Sequence, residues 1–393
     1  MIHDQVTNLN KTMIKIINPL FFLCLITSII GNKVDGMHSA LDEDYERHLN
    51  LINKARVTSI QTKSGNIVDC VDINKQPAFD HPLLKNQTLQ VKIFKIKSSI
   101  KISPTKSIYG LEKVRCPKGT VPIQRITKDD LIRGKSLFNE ISQLTDNGVV
   151  THSAHVYLQY KFSPYYGVTG IGSVYNPKVV NGQSSAGHVF VSGDGMNKIY
   201  AGWHVSPKLY NDDKTHLYIL WTPDNFKSGC YNLLCSGFIQ TDETYHIGAP
   251  IAKTSTYGGE MVEMPISIYK DEHDNWVVRL VDRDIGHFPK AIFSNFNTAH
   301  QVAWGGSTST PAGVASPPMG SGDRPNDDFI YGAYFREVGF RAINGVYNGP
   351  PDDFADTYDD GPGCYGVAYY GDQKGEVGYS LMFGGPGGAN CNR

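Results

Sequence analysis

From about Gly148 onward, apolar and polar residues alternate in short bursts. Val156, Leu158, Tyr160 and Phe162 fall on one side of a predicted strand, with His155, Tyr157, Gln159 and Lys161 on the other. Leu217, Ile219 and Trp221 repeat the period of two, as do Trp276, Val278 and Leu280, and then Tyr379, Leu381 and Phe383. Side chains along a strand point to opposite faces in turn, so each burst predicts one buried and one open face. Clusters of Gly, Asp, Asn and Pro separate the bursts. The pattern predicts a mainly β fold, an antiparallel β-sandwich with little helix.

The first third of the chain reads differently. Leu41, Tyr45, Leu49 and Ile52 recur at helical spacing, and Ser39 with Asp42 has the spacing of a capping box, so a helix is expected over Ser39 to Ala55. Ahead of it, Lys11 and Lys15 precede an apolar run from Leu20 to Ile30. That run falls short of the roughly 20 residues a membrane span needs and fits the core of a signal peptide. Met13 gives a tighter basic start than Met1. No later run is long and apolar enough to serve as an anchor. The polar, charged stretch from Arg125 to Asp146 is expected to be an exposed linker open to processing. The division is therefore a leader at 1–34, a small α+β front domain at 35–147, and the sandwich at 148–393.

The formal net charge of −1 conceals a split. Residues 32–147 carry 19 Lys and Arg against 13 Asp and Glu, whereas residues 148–393 carry 16 against 24. A basic front domain and an acidic sandwich are suited to attract one another. The basic residues form no single helical face and no nucleic-acid motif, so no nucleic-acid partner is expected. Of seven cysteines, Cys24 lies in the leader, which leaves an even six: Cys70, Cys116, Cys230, Cys235, Cys364 and Cys391. Six cysteines allow 15 pairings, and sequence alone does not choose among them. Asn86-Gln87-Thr88 is a glycosylation sequon in the front domain.

Longer motifs narrow the picture. Val68-Asp69-Cys70-Val71-Asp72-Ile73-Asn74-Lys75-Gln76-Pro77 through Asn86 resembles the activation-peptide signature of the plant neprosin family. Lys198-Ile199-Tyr200-Ala201-Gly202-Trp203-His204-Val205, Gly229 to Phe238, Val302-Ala303-Trp304-Gly305-Gly306-Ser307 and Met319 to Gly322 resemble its catalytic domain. The resemblance implies two packed, curved sheets of the lectin or glucanase kind with a cleft on the concave face. It also implies a secreted protein, apoplastic or vacuolar, with a prosegment as its own partner, and pairings Cys70–Cys116, Cys230–Cys235 and Cys364–Cys391. Members with known activity are glutamic endopeptidases that cut after proline, and each of two segments supplies one glutamate. Here the matching positions are Tyr200 and Ser307.

A glutamic peptidase needs two carboxyl groups sharing a proton, one to deprotonate water and the other to polarise the carbonyl. Tyrosine, with an ordinary pKa of about 10, is no base near neutrality, and a serine hydroxyl is weaker still. No Asp or Glu lies between Asp194 and Asp212, or between Asp284 and Asp323. The expectation is a non-catalytic homologue whose cleft binds proline-rich peptides or extracellular polymers. The alternative is an active acid endopeptidase with relocated carboxylates, for which Glu260 and Glu263 are the candidates. His204, Trp203 and Trp304 are the candidate cleft residues, and His204 with Ser307 raises a serine–histidine reading that lacks an orienting acid. The cysteines include no C-x-x-C pair, and the acidic loop around Asp352 to Asp360 lacks the EF-hand glycine and glutamate. Neither a metal nor a cofactor is expected.

Overall fold

In a computed structural model, the described residues are 42–85, 110–142, 148–158 and 164–391. Met1–Asn50 forms one unit and Leu51–Arg393 another. Residues 42–52 are helical (α1), in accord with the expected helix, whose Ser39 cap lies outside the described residues, as do the leader and Asn86.

The strands of the second unit run β1 (Arg56–Gln61), β2 (Ile67–Asp72), β3 (Thr120–Gln124), β4 (Val149–Leu158), β5 (Gly167–Ser173), β6 (Ser184–Ser192) and β7 (Lys198–Val205). They continue as β8 (Thr215–Thr222), β9 (Cys230–Tyr231), β10 (Ile239–Gln240), β11 (Glu263–Lys270), β12 (Trp276–Leu280) and β13 (Arg283–Phe288). The last six are β14 (Gln301–Pro311), β15 (Ala333–Arg341), β16 (Tyr347–Asn348), β17 (Asp356–Asp359), β18 (Gly366–Asp372) and β19 (Tyr379–Gly384). Two helices accompany them, α2 (Lys128–Ser142) and α3 (Pro207–Tyr210).

β1, β2 and β3 form a small sheet. A seven-stranded sheet runs β17-β4-β14-β6-β7-β8-β9, and a nine-stranded one runs β10-β13-β12-β11-β5-β15-β19-β18 with β16 on β15. The two large sheets share one apolar core. Trp203 on β7 and Trp304 on β14 cross it, their indole N–H groups donating to the β5 carbonyls of Ser173 (2.9 Å) and Thr169 (2.7 Å). A side chain at Gly187 would collide with the Trp203 ring, and one at Gly306 with Phe383, so these glycines let large rings lie flat against the strands. The three disulfides form in the pairing the family resemblance implies.

The front segment is built into this core. Val71, Leu84, Leu111, Val121 and Ile123 belong to the same apolar cluster as the sandwich residues. Residues 110–116 lie along residues 243–252, with Val114 N–H donating to Thr244 O (3.0 Å) and Ala252 N–H to Gly110 O (2.7 Å). The buried Gln76 amide clips the backbone of Gln240 from both sides, at 2.7 and 3.0 Å. The expected linker over Arg125 to Asp146 is instead largely helix. Leu131, Gly134, Leu137 and Phe138 bury one stripe of α2, a 3.6-residue period that the charged residues between them concealed.

Candidate functional site

Alternation along β7 turns Ala201, Trp203 and Val205 into the core and Tyr200, Gly202 and His204 to the opposite face of the seven-stranded sheet. Trp203 and Trp304, expected as cleft residues, lie in the core between the sheets, because their indoles span that layer. The site face is therefore built from the other residue set.

Register assembles that set into three rows. The first is Ala303, Phe190, Tyr200, Leu220 and Tyr231, crossing β14, β6, β7, β8 and β9. The second is His155, Gly305, His188, Gly202 and Tyr218, from β4 to β8. The third is Ser153, Ser307, Ala186, His204 and His216, over the same five strands. Tyr200 and Ser307 thus stand two strands and four residues apart, about 16 Å between Cα atoms by ordinary sheet spacings. The His188 row runs between them.

The Tyr200 row is aromatic and covered. The Tyr200 ring lies 4.9 Å from Phe190, 5.2 Å from His188 and 6.4 Å from Phe226. Helix α2 lays Leu137 and Phe138 into the cluster that includes Leu220, Tyr218 and Tyr231, with Tyr200 packed against it. Phe138 meets Phe226 at 6.2 Å, and Glu140 pairs with Lys208 at the helix's far end. Burial pushes the Tyr200 phenol well above its ordinary pKa.

In the second row, small and large residues alternate. The missing side chains at Gly202 and Gly305 leave room for rings to lean over them; a Cβ on Gly305 would sit 2.8 Å from the His155 ring. The Nε2 atoms of His155 and His188 meet at 3.0 Å, and Tyr218 Oη lies 2.7 Å from His188 Nδ1. Burial holds His155 down to about 4 and His188 well below its ordinary value, with His155 and His204 adding to the latter shift.

The third row ends in a second chain of rings. His204 Nδ1 lies 3.4 Å from Tyr210 Oη, and Tyr210 stacks on His216 at 3.8 Å. His216 reaches Asp212 Oδ1 and Gly248 O, each at 2.9 Å. Burial, helped by His216, lowers His204 to about 3. Burial tends to raise Asp212, but the hydrogen bond and charge of His216 together with the Lys214 backbone N–H and charge outweigh it and leave Asp212 below its ordinary pKa. Ser307 is half-buried and shares its row with His204, yet Ala186 separates them, so no serine–histidine pair forms.

The candidate replacement carboxylates are engaged elsewhere. Glu260 pairs with Lys253 at 2.7 Å on the surface. Glu263 stands on β11 in the other large sheet, held by Arg336 (2.6 and 2.8 Å) and by Tyr334 Oη (2.7 Å). Sequence reasoning missed His155, His188, Tyr218 and Tyr210. The two strand glycines were the visible hint, since glycine inside a strand often marks a close approach.

The chain matches the family described as Neprosin over residues 181–386 and that described as Neprosin activation peptide over residues 59–156. It is similar to a scytalido-glutamic peptidase solved with a transition-state-analog inhibitor, at 9% identity over 60% of this chain and 98% of that one, with a TM-score of 0.34. A second structure of that peptidase, with a peptide-based transition-state analog, gives the same values. SCP-B, a member of the eqolisin family of peptidases in complex with the tripeptide Ala-Ile-His, is similar at 8% identity with a TM-score of 0.30.

Proposed function

Since the chain belongs to the neprosin family, we propose that it is a secreted, non-peptidase member whose site face serves binding rather than hydrolysis. One observation carries this reading. At the two positions where the resemblance implies glutamates stand a phenol packed among aromatic rings and a serine, with a row of neutral histidines between them. Acid proteolysis needs one carboxylate as base and one carboxylic acid as proton donor. The Tyr200 phenol, raised further by burial, supplies neither, and Glu260 and Glu263 are committed to Lys253 and Arg336.

The apolar leader run and three disulfides support export, since disulfides persist in oxidising compartments. Proline-rich peptides or extracellular polymers are the ligands this reading favours. Incubating the purified full-length protein with a proline-rich peptide at pH 3 and pH 7 tests it. Mass spectrometry is expected to show intact peptide at both values. Cleavage after proline that persists through purification and disappears in the Glu263→Gln variant would overturn the reading in favour of relocated carboxylates.

A further inference from the structure

His155 and His188 enter the binding reading above only as neutral groups between Tyr200 and Ser307, and their geometry is unusual for two buried imidazoles. They lie two strands apart, on either side of Gly305, with Nε2 atoms 3.0 Å apart and ring centroids 5.1 Å apart. That centroid distance is close to the sum of the gap and the two ring radii, so the rings meet tip to tip. One Nε2 carries the proton of the bond and the other accepts it. Both rings are nearly free of solvent, at 8% and 2% exposure. The edge of Phe190 closes one side of His155 (5.5 Å, 85°), and the Tyr200 and His188 rings meet edge to face (5.2 Å, 86°).

From this geometry we propose that His155 and His188 form a two-coordinate site for a monovalent soft cation, Cu(I) in particular. Two neutral nitrogens facing one another present lone pairs along one line when both protons reside on Nδ1. Tyr218 supports that tautomer in His188, because its Oη can accept the Nδ1 proton at 2.7 Å. Entry of the ion then moves a proton from Nε2 to Nδ1 within one ring and releases none.

The choice of ion follows from what surrounds the pair. Among the described residues no third His, Cys, Asp or Glu joins them in a metal-holding group. Zinc in structural sites takes four protein ligands, and calcium six or more oxygens, so neither is satisfied here. Imidazole suits copper, and a closed-shell Cu(I) ion is content with two nitrogens in line. Aromatic edges and a phenol in place of a carboxylate leave the pocket uncharged, which favours a single positive charge over a double one. With metal–nitrogen bonds of about 2 Å, the ring tips part by roughly 1 Å. Gly305 beneath the pair carries no side chain, and the His155 ring already lies over the place its Cβ would take, so the parting falls to rotation of the rings.

The test uses the full-length protein with Cu(I) held in ascorbate by a colorimetric Cu(I) chelator, Ag(I) as a redox-inert parallel and Zn(II) as a third arm. One Cu(I) or Ag(I) per chain is expected, with Zn(II) not competing. His188→Phe and His155→Gln should each lose affinity at least 100-fold, and Tyr218→Phe about 10-fold, as for a group that orients a ligand. His155→Gln keeps a hydrogen-bond partner for His188, so it remains informative if the phenylalanine variant misfolds, and thermal unfolding verifies each protein. Failure of the folded wild type to take up stoichiometric Cu(I), or equal uptake by folded His155→Gln, overturns the proposal. Neither result bears on peptide cleavage, so this inference and the binding reading fail separately.

Discussion

The two ends of the site face, marked by Tyr200 and Ser307, are built in opposite ways. At the Tyr200 end a large ring replaces the expected acid and joins Phe190, Phe226 and the α2 side chains, so that end has become an extension of the hydrophobic core. At the Ser307 end a small hydroxyl stands between Ser153 and Ala186 and, like Tyr200, is partly buried. One end carries ring packing and a covering helix; the other carries a small hydroxyl between small neighbours. The contrast teaches that strand position says little about which side chain a face carries, whereas the element lying over it says much. Helix α2 covers the first end, and burial there selects an apolar ring.

The largest effect should come from stripping the lid. Phe138→Asp places an unpaired charge in the α2 contact and is expected to cost about 4 kcal/mol. Urea unfolding measures it, and a loss below about 1 kcal/mol would show that α2 merely rests on the sheet.

Acid should produce the next largest change. His155 is depressed to about 4 and His204 to about 3 from an ordinary 6.5, so the unfolded chain binds more protons across that interval. Stability is therefore greatest above about 6.5 and declines as pH falls towards 4, by a few kcal/mol in total. His155→Gln should flatten the curve measured by denaturant titration between pH 7 and 4.5; an unchanged curve would place the acid sensitivity elsewhere.

Restoring single acids sharpens the comparison further. Tyr200→Glu forces a carboxyl against Phe190 and Phe226, raising its folded pKa above the unfolded 4.3 or so. Its penalty should be modest at pH 3 and grow as pH rises past 4.3, to about 2–3 kcal/mol at neutrality. Ser307→Glu, flanked by Ser153 and Ala186 rather than by rings, should cost less than Tyr200→Glu, about 1 kcal/mol or under at any pH. Equal costs at the two positions would erase the distinction between a ring-packed end and one lined by small residues.

Much of the architecture was legible in the chain. Period-two bursts such as Leu217, Ile219 and Trp221 marked strands because the core accepts only one face of a sheet, and the alternation on β7 assigned Tyr200 and His204 to one side. The helix over Lys128–Ser142 is hidden in the sequence, since its apolar stripe is interrupted by Lys, Arg and Asp. Trp203 and Trp304 read from sequence as core or cleft-wall aromatics, and the choice of the core depends on β5 carbonyls 30 and 135 residues distant in sequence that accept from their indoles.

By itself, then, the sequence determined the strand-rich sandwich and the split of β7 into two faces. Those follow from local periodicity, which needs no partner strand. Only the tertiary structure decided that His155 on β4 meets His188 on β6, and that α2 closes over Tyr200. Both depend on register between strands and on where a helix docks, and those are fixed by packing across many residues at once.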